Sequence, residues 1–236
     1  MNIQKGDHGP EVKLIQEMLC FQRYSVVIDG DYGPATAHAV DIFQKDLHIF
    51  SPEGVVDDNT YAELMSPLTC LGEVKPFDGT LNDAIIDIAH KHLMVHPIEI
   101  GGQNKGPFVR FYMQGKDGTA YPWCAGFVST VVLQAFKAIN KVPQNFRYQM
   151  STNLMLLDAR RNSTVVTVPV AGGIFLVMKK DDNTQVEHAG LIISYDSTKG
   201  IIETIEGNTN DDGSREGYEV CSRIRQITNK YFINLS

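Results

Sequence analysis

Pro122-Trp123-Cys124-Ala125-Gly126-Phe127-Val128-Ser129-Thr130-Val131-Val132 begins on a proline turn and continues as an apolar helix, which places Cys124 in that helix's first turn. A helix N-terminus carries roughly half a positive charge and unpaired backbone N–H groups, and both favour a thiolate or an oxyanion. The thiolate is the form that attacks a carbonyl, so Cys124 is the candidate nucleophile. Such a nucleophile needs a base that exchanges protons near neutral pH, which points to histidine. His188 opens the apolar stretch 188–193 directly after a polar turn at 179–185, so a strand end would project it toward a cleft. The base in turn needs an acceptor to fix its tautomer. Glu206 and Asn208 lie two apart at the end of the next extended stretch, hence on one expected face, and Glu206 is the better placed.

Working outward from the cysteine, the apolar spacing of Leu81, Ala84, Ile85, Ile88, Ala89 and Leu93 predicts an amphipathic helix. Gly101, Gly102, Gly106 and Pro107 then interrupt regular structure. Beyond Ser151-Thr152 the pattern reads as extended, with four strands at 164–169, 173–178, 188–195 and 201–205. Helices followed by an antiparallel sheet define an α+β domain over 81–236, entered through a linker at 71–80 with Gly72, Pro76 and Gly79.

Residues 1–70 read as a separate all-α module. Val12, Leu14, Ile15, Met18 and Leu19 recur at helical spacing, a turn follows on Gly30 and Gly33, and Thr36, Ala37, Val40, Ile42 and Phe43 mark a second helix. A shortened echo, Gly54-Val55-Val56-Asp57-Asp58-Asn59-Thr60, leads into a third helix that Pro67 is expected to stop. Charge divides the chain at the same place: four Lys/Arg against eleven Asp/Glu up to Cys70, and seventeen of each after it. That balance argues against nucleic acid as a partner, because binding phosphates needs a basic face.

The string Lys5-Gly6-Asp7-His8-Gly9-Pro10-Glu11-Val12, with Leu14-Ile15-Gln16, Val27 through Thr36, Ala39-Val40 and Phe43-Gln44, resembles the three-helix peptidoglycan-binding domain of wall hydrolases over about residues 3–66. The resemblance implies a groove near the Asp-Gly-x-Tyr-Gly turn, with Asp29, Asp31 and Tyr32 as candidate glycan or stem-peptide contacts. Over residues 81–230 the order Cys124, His188, Glu206, Asn208 resembles the CHAP family of the papain-like superfamily. The carriers are the Pro-Trp-Cys-Ala-Gly-Phe-Val helix, Glu187-His188-Ala189-Gly190, Glu206-Gly207-Asn208 and the upstream stretch 99–107. The related NlpC-type endopeptidases carry a second histidine where position 200 here is Gly. Membership implies amide-bond cleavage in peptidoglycan: Cys124 attacks, His188 moves the proton, Glu206 holds the imidazole and Asn208 supports the network. Trp123 would line the cleft and Tyr121 would contact the oxyanion or substrate.

With 43 % apolar and 21 % charged residues the chain has the composition of a folded globular protein, and no stretch approaches the ~18 apolar residues of a membrane span. The N-terminus lacks the basic start and apolar run of a signal peptide, so the expected site of synthesis is the cytoplasm, with action on the wall or periplasm after release or secretion. A phage lysin or a secreted antibacterial effector fits, the latter calling for an inhibitor or immunity protein. Cys20, Cys70 and Cys221 show no pairing pattern and read as packing or surface residues. His90, His92 and His96 have no carboxylate or cysteine arranged beside them, so neither metal nor cofactor is expected. Two other readings remain: an amidase acting on a small amide conjugate, and a non-catalytic wall-binding protein.

Overall fold

Two buried glutamines organise the first three helices, α1 (Pro10–Phe21), α2 (Pro34–Asp46) and α3 (Asp58–Gly72). In the computed structural model, which describes residues 2–209 and 217–236, Gln16 on α1 donates through Nε2 to Asp29 Oδ1, the Asp31 carbonyl and Thr36 Oγ1. Its Oε1 accepts from the backbone N–H groups of Asp29 and Gly30. Gln44 on α2 repeats the device, donating to the carbonyls of Pro52 and Val55 and to Thr60 Oγ1, and accepting from Gly54 N–H. Each amide is thereby satisfied where water cannot reach it, and each pins the turn that leads into the next helix. Gly54 is needed at its turn twice over: its φ is +65°, and a Cβ there would meet the Ala37 carbonyl oxygen at 2.8 Å. Pro67 does not stop α3, which runs to Gly72. The lost N–H bond is outweighed by Leu64 and Leu71, both fully buried on either side of it.

Helices α4 (Leu81–Val95), α5 (Pro107–Tyr112), α6 (Cys124–Ala138) and α7 (Thr152–Arg161) precede a six-stranded antiparallel sheet. The strands are β1 (Val165–Val166), β2 (Ile174–Lys179), β3 (Asp182–Asp196), β4 (Ile201–Thr209), β5 (Glu219–Gln226) and β6 (Lys230–Ile233), in the order β1-β6-β2-β3-β4-β5. Helix α6 buries residues all round its axis, as a central helix must, and packs against α4, β3 and β4. Residues 152–161 are helical rather than extended: Ser151 accepts from Leu154 N–H as an N-cap, and Met155, Leu156 and Ala159 form one buried face. The sheet is also wider than the four expected strands. The turn after β2 is tight, and Asp182 already belongs to β3.

The N-terminal helices are not held by a free tether. One hydrophobic core runs from Ile3 to Leu235, and Phe21 meets Phe108 edge-on at 4.5 Å between ring centroids. Beside that contact Arg110 on α5 forms a bidentate ion pair with Glu17 on α1 and a second with Asp117 at 2.7 Å. Residues 73–79 are pinned as well. Lys91 donates to the Glu73 carbonyl, Phe77 N–H to the Ala138 carbonyl at 2.9 Å, and Gln134 to the Leu71 carbonyl at 2.7 Å.

Glu17 has a side chain only 3 % exposed, so removing its partner leaves a charge in the core. Arg110→Ala is expected to cost about 2–3 kcal/mol, below the fully buried value because Arg110 is itself partly exposed. Glu17→Gln/Arg110→Met should recover most of the loss. Urea denaturation checks this, and an unchanged midpoint for Arg110→Ala would refute it.

Candidate active site

Cys124 opens α6 with no side-chain cap ahead of it, so it sits at the uncapped positive end of the helix. Cys124 is 4 % exposed. Burial alone would push its pKa up, but the His188 side chain and the backbone N–H groups of Ala189 and Ala125 outweigh burial and hold it below the ordinary value. His188 lies on β3 opposite Val177 on β2, next to a register shift. Its Nε2 is 2.7 Å from Glu206 Oε2, while Nδ1 has no well-formed hydrogen bond and is the nitrogen left to the thiol. Burial pushes the imidazole down, yet the neighbouring thiol and carboxylate raise its pKa to about 9.

Glu206 on β4 has no exposed surface. Its Oε1 accepts from Thr204 Oγ1 at 2.6 Å and Arg225 Nε at 2.5 Å, and its Oε2 accepts from Arg225 Nη2 at 2.6 Å. Burial favours the neutral acid, but Arg225 and His188 prevail and bring the pKa down to about 2. An ionised Glu206 only accepts, so His188 carries its proton on Nε2 and presents Nδ1 to exchange a proton with Cys124. Arg225 reaches across from β5 and lies over the Phe175 ring at 5.8 Å.

Two glycines make room for this chain of contacts. A Cβ at Gly190 would fall 2.6 Å from the Phe175 ring and 2.8 Å from Glu206 Cγ. At Gly207 it would fall 2.7 Å from both Phe127 Cβ and Trp123 Cζ3, forcing β4 away from α6. A cleft of about 260 Å³ opens beside Cys124, walled by Pro122, Met150, Asn153, Lys179 and Glu187. The start of α7 is fixed there because Thr152 and Asn153 hydrogen-bond the Val186 backbone.

Cys124, His188 and Glu206 thus come together, and other expected contacts do not. Asn208 is 2 % exposed with φ +56°, and the ladder to β5 shifts register between Glu206 and Thr209, so the two-residue face shared with Glu206 is lost. Its Oδ1 has no partner among the described residues. Trp123 lies in the core instead of lining the cleft: it stacks on Tyr112 at 5.4 Å and donates Nε1–H to Glu99. Tyr121 is half-buried against the core, with Lys116 5.8 Å from its ring centroid, and it does not wall the cleft. Tyr32 is buried and donates to the Gly54 carbonyl, and Asp29 is engaged by Gln16 and Asp31 N–H. Asp31 is exposed, and its backbone bridges to His8.

Arg225, Thr204 and Glu99 escaped the sequence reading. The one available signal was the charged alternation Arg223-Ile224-Arg225, which marks β5 as a strand able to send a cation inward. His92 is buried between Tyr112 and Gln134, 2.8 Å from each, and burial brings its pKa down to about 3, so it is a neutral packing group. Among the described residues no three His, Cys, Asp or Glu side chains gather as a metal site, and no helix is long and apolar enough to cross a membrane.

Residues 8–64 match the family model described as "Putative peptidoglycan binding domain". The N-terminal helices therefore form a peptidoglycan-binding domain. Among solved structures, the N-terminal domain of SleB is similar at 27 % identity over 28 % of this chain and 90 % of its own, with a TM-score of 0.27. The endolysin of Burkholderia AP3 phage is similar at 29 % identity over 40 % of this chain and 33 % of its own, with a TM-score of 0.26. A search of curated proteins returned no match.

Because His188 and two backbone N–H groups hold the thiol below its ordinary pKa, Cys124 should alkylate with iodoacetamide in preference to the other three cysteines and at a pH below 9. Glu206→Gln removes the charge that supports the imidazolium and should move that profile upward by about one pH unit. Peptide mass mapping across pH reads both effects, and coincident profiles would exclude the coupling.

Proposed function

We propose that this chain hydrolyses an amide bond of peptidoglycan through a thioester at Cys124, in a papain-like domain of CHAP type. The observation that carries the reading is the buried series Cys124, His188, Glu206 and Arg225, standing in one chain with a peptidoglycan-binding domain. In this reading the Cys124 thiolate attacks the carbonyl carbon, a C–S bond forms and the carbonyl electrons move to oxygen. The oxyanion forms at the N-terminus of α6, whose dipole favours it. His188 Nδ1 then protonates the amine as the C–N bond breaks. Water, losing its proton to the same nitrogen, attacks the thioester and restores the thiol. Glu206 stays ionised throughout and fixes the ring, while Arg225 and Thr204 fix Glu206.

The bond is the muramoyl–alanine amide, a stem-peptide bond or a cross-bridge, and the setting is a phage lysin or a secreted effector. The wall-binding domain raises the local density of scissile bonds by holding a second point on the same polymer. Its docking through Glu17, Phe21 and the pinned segment 73–79 means that this gain does not depend on a flexible spacer.

Purified peptidoglycan incubated with the wild type should release fragments that Cys124→Ala does not. Free glycan strands among the products would indicate an amidase, and shortened stems an endopeptidase. Equal release by both proteins would eliminate Cys124 as the nucleophile. Release by neither would favour a small-amide substrate or a non-catalytic wall-binding role.

The pH profile follows from the sign of the His188 shift. Its pKa rises from 6.5 to about 9, so the imidazolium that pairs with the thiolate persists through neutrality and is lost as pH rises through about 9. The kcat/KM for wall hydrolysis should therefore fall on that alkaline limb. A limb near 6.5 would show that the imidazole is not held by Glu206.

A further inference from the structure

In the turn expected to contact the wall polymer, Tyr32 is buried, while Asp29, hydrogen-bonded by Gln16, and Asp31 both stay exposed. The peptidoglycan-binding domain has another concave surface, at the loop that joins α2 to α3. Two clefts of about 570 and 460 Å³ lie on either side of a ridge formed by His48, Ile49 and Phe50.

Phe50 at the crest is 95 % exposed. A lone exposed apolar side chain is ordinary on a protein surface; what sets Phe50 apart is its place on a ridge between two clefts. The loop does not hold it out by looseness. Gln44 grips the carbonyls of Pro52 and Val55 from beneath, Ile49 N–H bonds the Gln44 carbonyl at 2.8 Å, and Ser51 donates to Asp57 at 2.7 Å. The floor of the ridge is thus fixed before any ligand arrives, which reduces the ordering cost of binding.

Both clefts combine apolar wall with hydrogen-bonding groups. Asp41 and Lys45, ion-paired at 2.7 Å, flank one cleft, and Asn59 and Glu63 flank the other. An exposed ring set between hydrogen-bonding walls suits a saccharide, whose C–H face covers an aromatic ring while its hydroxyl and acetamide groups turn to polar partners.

We propose that the Phe50 ridge is the glycan-strand contact of the peptidoglycan-binding domain, with one sugar stacked on the ring and its neighbours along the strand in the two clefts. The proposal rests on residues 8–64 being a wall-binding domain.

The test uses the full chain carrying Cys124→Ala, so that the wall stays intact, and measures retention on purified sacculi and on peptide-free glycan strands. Adding Phe50→Ala should reduce retention on both about tenfold, while adding Val27→Ala, exposed elsewhere on the same domain, should not. Melting temperatures should stay equal, since Phe50 buries almost nothing. Indole emission of Phe50→Trp should change when glycan strands are added. Retention of the Phe50→Ala protein on sacculi at the parent level would overturn the proposal and leave the hydrolase reading untouched. Retention of the parent on sacculi but not on glycan strands would overturn the saccharide as occupant. No retention of the parent on either would overturn both this contact and the wall-binding reading, whereas fragment release by the wild type reports separately on the hydrolase.

Discussion

A carboxylate with no exposed surface either takes a proton or finds cations. Glu206 is held ionised by Arg225, which binds both of its oxygens, and by His188. The rest of the candidate site depends on that charge. It fixes the proton on His188 Nε2, leaves Nδ1 facing the thiol, and sustains the imidazolium that lowers the Cys124 pKa. Strands β3, β4 and β5 must lie in one register for these groups to meet, with His188, Glu206 and Arg225 contributed by one strand each. Gly190 and Gly207 are the spaces through which those strands approach Phe175 and α6. A buried pair of this kind adds little net stability once desolvation is counted, so its value lies in positioning.

The N-terminal helices extend the same logic by a different means. Each buried glutamine closes a turn and hands the chain to the next helix, so the three helices are set by internal hydrogen bonding as much as by apolar contact. Their outer faces then continue into the core of the second half through Phe21 and Leu71. Arg110, on the short helix whose Tyr112 stacks on Trp123, links that junction to the residue preceding Cys124.

Much of this was legible in the sequence because it is local. The apolar spacing gave α1, α2 and α4, and a cysteine behind Pro-Trp at the head of an apolar run gave α6. What the sequence hid is non-local. Arg225 lies 19 residues from Glu206, on a strand that turns Arg223 and Arg225 inward and leaves Ile224 exposed, the reverse of the usual apolar-in pattern, so its inward arginine was not apparent. Asn208 was placed by a two-residue period that the register shift cancels. Tyr32, Asp29 and Trp123 look like exposed recognition groups in a motif, and only the packing shows Tyr32 and Trp123 filled in and Asp29 engaged. Residues 152–161 lacked an obvious helical stripe because Leu154 and Leu157 sit on the exposed side of α7.

The N-terminal helices are not an interchangeable cartridge. Glu17 and Phe21 on one side are matched to Arg110 and Phe108 on the other, and the intervening segment is hydrogen-bonded to α4 and α6. Grafting a foreign N-terminal domain at residue 70 would strip apolar surface from the core and take from Arg110 one of its two carboxylate partners, Glu17. Retargeting this chain to another polymer would instead mean recutting the surface of its existing helices, with the α1 face toward α5 carried over unchanged.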